Sequence, residues 1–204
     1  TIVGQILSGV WAVFVDGMDQ CVLIDQRTYP QRTTSEPDQD KSFRGSRDGF
    51  VETMVFNAAL IRRRIRSPRL CVEHLEVGET SRTDVAVCYF EGRADPELVN
   101  TVRERIAQAR VDALTMNQES LAELLVRKRW YNPFPKFKFT ERPDAAAAQI
   151  LEGDVVVLVD NSPAAIILPT TLFDVMEEAN DYYFPPITGS YLRLVRFFTT
   201  FLTT

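Results

Sequence analysis

Ile150-Leu151-Glu152-Gly153-Asp154-Val155-Val156-Val157-Leu158-Val159-Asp160 is the stretch that decides the fold. A helix end, a glycine able to take the left-handed C-cap, a β-branched run and a turn-starting aspartate follow one another directly. The run is apolar on consecutive positions, as a strand covered on both faces requires. Residues 164–168 return as the second strand of a hairpin. Ile6-Leu7-Ser8-Gly9-Val10-Trp11-Ala12-Val13-Phe14-Val15-Asp16 lies over the same stretch without a gap, with Ile, Leu, Gly, Val, Val and Asp in register. The return strands, residues 22–24 and 166–168, coincide as well. We read the recurrence as a duplicated subdomain.

Outward from the second copy, the pattern is complete. Leu70–Val77 and Thr83–Phe90 read as a strand pair around Gly78-Glu79-Thr80-Ser81, and Asp95-Pro96-Glu97 opens a helix with Asp as N-cap and Pro at N1. Residues 111–115 fit a short strand, 120–126 a short helix, and Phe137-Lys138-Phe139 an edge strand. Residues 143–151 read as an alanine-rich helix, and 172–179 as another capped by Thr170 or Thr171. Further upstream, Asp48 is expected to cap a helix over 48–65 that ends in Arg62-Arg63-Arg64-Ile65-Arg66. Strands interleaved with helices give an α/β fold: two small subdomains of mixed sheets with flanking helices. The first copy shows only its last hairpin, so the N-terminal subdomain is expected to be incomplete. Its apolar strands are expected to be covered on both faces. The domain reading is 1–45 for the end of the first subdomain plus a polar crossover, 46–187 for the second, and 188–204 for an amphipathic tail.

Composition narrows the function classes. Across 204 residues, 28 acidic and 23 basic side chains leave a net charge of −5, unlike a dedicated nucleic-acid binder. Cys21, Cys71 and Cys88 are odd in number and lack CxxC spacing; they read as buried free thiols of a reducing compartment. No run of 18 uninterrupted apolar residues spans a bilayer. In the tail, Leu194, Val195, Phe198, Phe201 and Leu202 share one helical face and Arg193, Arg196, Thr200 and Thr203 the other, which reads as an interfacial helix.

Catalytic constellations fail one by one. Asp16 and Asp160 resemble a carboxylate pair, but each heads a hairpin turn where Asp bonds backbone. His74 is the sole histidine, with Glu73, Glu76 and Cys71 at poor metal-ligand spacing. Ser46 in Gly45-Ser46-Arg47-Asp48-Gly49 is off-centre for a nucleophile elbow. Neither GxxxxGK[ST] nor GxGxxG occurs. No catalytic, cofactor-binding or metal-ligating residue is assigned. The cluster Arg44, Arg47, Arg62, Arg63, Arg64 and Arg66 is a local charge bias that suits a solvated helix end, anionic lipid or an acidic neighbouring subunit.

Four stretches together resemble the soluble N-terminal domain of the GerA-type spore germination proteins, the A-subunit family of germinant receptors. They are Arg44-Gly45-Ser46-Arg47-Asp48-Gly49-Phe50-Val51-Glu52 with Asn57-Ala58-Ala59-Leu60-Ile61-Arg62-Arg63-Arg64-Ile65; Tyr89-Phe90-Glu91-Gly92-Arg93-Ala94-Asp95; Asn132-Pro133-Phe134-Pro135 with Thr140-Glu141-Arg142-Pro143-Asp144; and Leu151-Glu152-Gly153 through Val159-Asp160-Asn161-Ser162-Pro163. Trp130-Tyr131-Asn132-Pro133-Phe134-Pro135 looks more like a sporulation-protein branch than a receptor A subunit proper. The resemblance implies the hydrophilic part of a spore inner-membrane protein, followed by a membrane domain. It implies two α/β subdomains, homo-oligomers, other germination membrane proteins as partners, no enzymatic turnover, and a role in releasing ions or dipicolinate. This part is expected on the cytoplasmic (spore core) side. The alternative is a small-ligand sensor with a cleft between subdomains. Physically, Arg44, Arg47, Glu52, Arg62 and Arg142 are the candidate polar network between subdomains or toward a ligand or partner. Glu141 or Asp144 is expected to bond orphan amides where Arg142 and Pro143 start a helix.

Overall fold

The computed structural model describes residues 2, 6, 10–18, 20–24, 34, 36, 46–78, 81–109, 118–125, 136–171 and 186–203. Expected features at residues 111–115, 130–135 and 172–179, and nearly all of the 31–46 crossover, lie outside this set, as does Arg44. The chain forms two compact units, Thr1–Gln31 and Arg32–Thr204.

The first unit contains strands β1 (Trp11–Phe14) and β2 (Cys21–Ile24), antiparallel with Trp11 opposite Ile24 and Phe14 opposite Cys21. Gly17 supplies the left-handed turn conformation, φ 81°. The expected covering of both faces is not found: Trp11 and Phe14 are each 68% exposed, and Val22, Leu23 and Ile24 are exposed too. A two-stranded ribbon is one layer thick and buries nothing by itself.

The second unit is built on one five-stranded sheet, in the order β3 (Leu70–Val77), β4 (Thr83–Phe90), β6 (Val155–Val159), β7 (Ala165–Leu168), β5 (Lys138–Thr140). Every pairing is antiparallel, which refines the mixed sheet expected. Among the described residues, helices α1 (Met54–Arg64), α2 (Pro96–Gln108), α3 (Gln118–Leu125), α4 (Pro143–Glu152) and α5 (Pro186–Thr203) also belong to the unit.

The period-2 alternation of the strands divides the core in two. Ala86, Cys88, Val156, Leu158, Ala165 and Ile167 point toward α1 and α4, packing on Met54, Ile61, Ala146 and Ile150. Val85, Val87, Val155, Val157, Val159 and Ile166 point the other way, onto Val99, Val102 and Ile106 of α2 and Leu121, Ala122 and Leu125 of α3. Strands covered on both faces need continuous apolar sequence, and β6 and β7 are buried at every position.

Local chemistry sets the helix ends. Asp95 accepts from the Glu97 N–H at 2.9 Å with Pro96 at the first helical position, as expected for α2. Gly153 closes α4 in the left-handed region, φ 116°, its N–H reaching the carbonyls of Gln149 and Ile150. A Cβ there would lie 2.9 Å from the Arg93 carbonyl oxygen. Of the three cysteines only Cys88 is buried; Cys21 and Cys71 are half-buried, because each sits on a strand with an uncovered side. Burial pushes the Cys88 thiol up to about 12, against the opposing Arg62 charge.

Candidate functional site

Residues 46–53 do not begin a helix. They run as an extended strap back along α1, and α1 itself starts at Met54. The expected cap Asp48 therefore lies beside the last turn of α1, not the first. Thr53 occupies the N-cap position without a side-chain bond. The orphan N–H of Met54 is satisfied from far along the chain, by the Asp160 carboxylate at 3.0 Å. A carboxylate at a helix N-terminus also suits the macrodipole.

Successive strap residues are tied to different elements. The Ser46 carbonyl accepts from Arg142 Nη2 at 3.3 Å. Asp48 accepts from Arg64 Nη2 at 2.6 Å on both carboxylate oxygens, from Arg63 at 3.4 Å and from the Ser46 hydroxyl. The Phe50 N–H donates to the Glu141 carbonyl at 2.8 Å, and the Glu52 carbonyl accepts from the Asn161 N–H at 2.8 Å. Buried Asn57, one turn into α1, grips Val51 twice: its Oδ1 accepts from the Val51 N–H at 2.8 Å, and its Nδ2 donates to the Val51 carbonyl at 2.5 Å. Between these ties, Phe50 and Val51 bury their side chains almost completely.

Arg142 is the hub. Its side chain is 2% exposed, and its Nε and Nη2 hold the two oxygens of Asp144 at 3.0 and 2.5 Å. Such a two-point pairing fixes geometry as well as charge. Of the two carboxylates expected near the orphan amides, Asp144 is held by the Arg142 guanidinium. The amide of Arg142 itself goes to Thr140 Oγ1 at 3.2 Å.

Burial by itself would raise the Asp48 carboxyl, but the Arg64 guanidinium and the Ser46 hydroxyl outweigh it and hold it below the usual carboxylate range. A second charged group lies on the edge strand. Glu73 of β3 takes both Nε (2.9 Å) and Nη2 (2.7 Å) of Arg103 and the Tyr89 hydroxyl at 2.6 Å. The Arg103 bond holds Glu73 low, and the Glu73 bond raises the Tyr89 phenol.

The five candidate residues thus separate. Arg142 and the strap carrying Arg47 and Glu52 meet at one corner, where Arg47 itself is exposed and Glu52 half-buried. Arg62, in the same last turn of α1 as Arg64, donates instead to the Ser67 and Leu70 carbonyls at 3.0 and 2.9 Å, pinning the entry to β3. All four described residues belong to the second unit. His74 is exposed on β3, opposite Ala86. Asn57, Asp160, Arg64 and Asp144 carry the corner, although none of them is among the five candidate network residues. Asn57 had one available signal, a lone amide within an apolar helical stripe.

Three of the four family-like sequence stretches thus contribute residues to this corner. Over residues 1–204 the chain matches the Bacillus/Clostridium GerA spore germination protein profile, and it belongs to that family. It is 51% identical over 194 residues to Stage V sporulation protein AF of Bacillus subtilis (strain 168), an alignment covering 95% of this chain and 39% of the relative. Spore germination protein A1 of the same organism is 33% identical over 199 residues, 98% of this chain and 41% of the relative. The "Uncharacterized membrane protein YfkQ" from that strain is 31% identical over 98% of this chain and 39% of its own length. The chain thus spans about two fifths of these relatives. Among solved structures, the N-terminal domain of the A subunit of the Bacillus megaterium germinant receptor GerK3 matches at 32% identity with a TM-score of 0.47, over 61% of this chain and 97% of that one. The branch suggested by the 130–135 sequence agrees with the difference between 51% and 33% identity.

Proposed function

We propose that this chain is the hydrophilic domain of a spore inner-membrane germination protein, and that it couples assembly and signal to the release of ions or dipicolinate. The observation that carries this reading is how the corner spends its polar groups. Arg142, Asp144, Asp48, Arg64, Asn57 and Asp160 all hold the chain's own backbone or one another. Residues so committed make a rigid frame that transmits a displacement between the strap, α1 and α4. On this reading other germination membrane proteins and further copies of the chain are the partners. The domain faces the spore core, for which the three free thiols offer support. It turns over no substrate.

The test uses spores of the producing organism. Loss of the gene slows germinant-triggered dipicolinate release, measured by terbium fluorescence, and the intact gene restores it. A gene carrying Asp160→Ala and Asn57→Ala together restores it poorly. Unchanged release in the deletion strain overturns the proposal.

A further inference from the structure

The turn from α1 into β3 gathers charge of one sign. Arg62, Arg63, Arg66 and Arg69 follow closely along the chain and are all exposed. The Glu91 N–H donates to the Arg69 carbonyl at 2.9 Å, which brings Arg93, exposed as well, to the same end of the sheet. Backbone carbonyls hold three of these guanidiniums: Arg62 on Ser67 and Leu70, Arg66 on Arg63 at 3.2 Å, and Arg93 on Leu151. A carbonyl fixes the direction of a guanidinium and leaves its charge unopposed. Arg63 reaches Asp48 at 3.4 Å, but Arg64 already holds both oxygens of that carboxylate at 2.6 Å. The other face of the sheet carries the opposite sign. Glu97 and Glu104 stand seven residues apart on α2, on the side turned away from buried Val99, Val102 and Ile106. Both are exposed, as are Glu119 and Glu123 on neighbouring α3. The arginines of α2 are directed elsewhere, Arg103 to Glu73 at 2.7 Å and Arg105 to the Leu125 carbonyl.

We infer that the arginine end of one copy of this chain docks on the α2–α3 carboxylate face of the next. A guanidinium pairs with a carboxylate through two parallel bonds, so an array of arginines whose directions are already fixed suits a carboxylate-bearing surface. The basic end belongs to the α1 side of the sheet and the acidic face to the α2–α3 side. Each copy therefore offers one surface and receives the other, a head-to-tail contact that closes into a ring or runs on as a filament. Pairing two arginine ends would oppose like charges. A nucleic acid is a poor occupant for a chain of net charge −5. The inference rests on the reading above that further copies are partners, and adds which surfaces meet and in what order the copies follow one another.

Sedimentation velocity of the 204-residue chain, at concentrations up to about millimolar, tests the contact. Self-association is expected at low salt and should weaken as salt rises to about 0.5 M, since the charges are exposed. One variant carries Arg63→Gln, Arg66→Gln and Arg69→Gln, and a second carries Glu97→Gln, Glu104→Gln and Glu119→Gln. Each alone should associate at least about tenfold more weakly than the parent, with melting within about 2 °C of it. Mixed in equal amounts, the two should form one-to-one dimers and nothing larger, because each retains one of the two surfaces. A chain that stays monomeric at every salt concentration overturns the inference, as does association that either variant leaves unchanged or a mixture that stays monomeric. Binding to phosphatidylglycerol vesicles that the arginine variant loses, in a chain that does not self-associate, gives the arginines to lipid and overturns it too. The dependence of dipicolinate release on the gene is measured separately, so the contact can fail while the reading above stands.

Discussion

Replacing Arg142 by Met tests the corner at its hub. Methionine keeps most of the buried volume but leaves Asp144, 26% exposed, without its cation, and the Ser46 carbonyl without its donor. Removing one partner of a fully buried ion pair costs about 3–5 kcal/mol. Water reaching the quarter-exposed carboxylate lowers this, and the expected loss is about 2–3 kcal/mol. In a unit of this size that corresponds to a melting decrease of roughly 5–10 °C. Urea unfolding followed by far-UV circular dichroism measures it. The companion variant, Arg142→Met with Asp144→Leu, removes both charges and should recover at least half of the loss, because the penalty comes from the stranded carboxylate. A single variant within about 0.5 kcal/mol of the parent, or a double variant that falls by the sum of its parts, would refute the reasoning.

Four further outcomes follow from the same geometry. Asp160→Ala uncaps α1 and should cost about 1 kcal/mol in urea unfolding, whereas Asp160→Asn, which keeps an acceptor, should cost less than half of that. Gly153→Ala forces a Cβ to 2.9 Å from the Arg93 carbonyl at φ 116° and should lose more than about 1 kcal/mol, against the gain of a few tenths expected at an unstrained glycine. Asp48 and Glu73 have folded values below their unfolded ones, so their contribution is complete above about pH 5 and disappears as pH falls through the lowered values. Urea midpoints measured from pH 7 to 3 should show a shallower acid loss in Asp48→Asn than in the parent. Finally, a thiol reagent should modify Cys21 and Cys71 in the folded chain and Cys88 only on unfolding, since that thiol is fully buried and held to about 12.

The parts legible in the sequence are those fixed by neighbours along the chain. β3 and β4 occupy the residues expected, because two runs rich in β-branched and apolar residues flank the Gly78-Glu79-Thr80-Ser81 sequence. Asp95 and Pro96 announce α2, and Gly153 ends α4, through contacts made within a few residues. The start of α1 was misplaced for the complementary reason. Asp48-Gly49 carries the local signature of a cap, but the acceptor that satisfies Met54 belongs to Asp160, 106 residues away. Once that bond is supplied from the β6–β7 turn, residues 46–53 are free to run extended, and Asp48 is drawn to Arg64 instead. The same limit separated the candidate residues. Arg62 and Arg142 are both arginines in family-like motifs, yet one pins a strand entry and the other a strap, a distinction only tertiary placement makes. The exposed β1–β2 hairpin was misjudged because apolar sequence states what a strand is able to bury, and the covering layer is a matter of what surrounds it.

In the function proposed above, the corner residues hold the chain itself and bind no germinant. Thermal melting of the 204-residue chain against germinant amino acids, sugars, dipicolinate and salts tests it most directly, since a ligand that favours the folded state raises the midpoint with the logarithm of its concentration over Kd. The account predicts no saturable shift up to millimolar concentrations. A specific, saturable rise that disappears in Arg47→Ala, whose side chain is exposed at the strap, would contradict it.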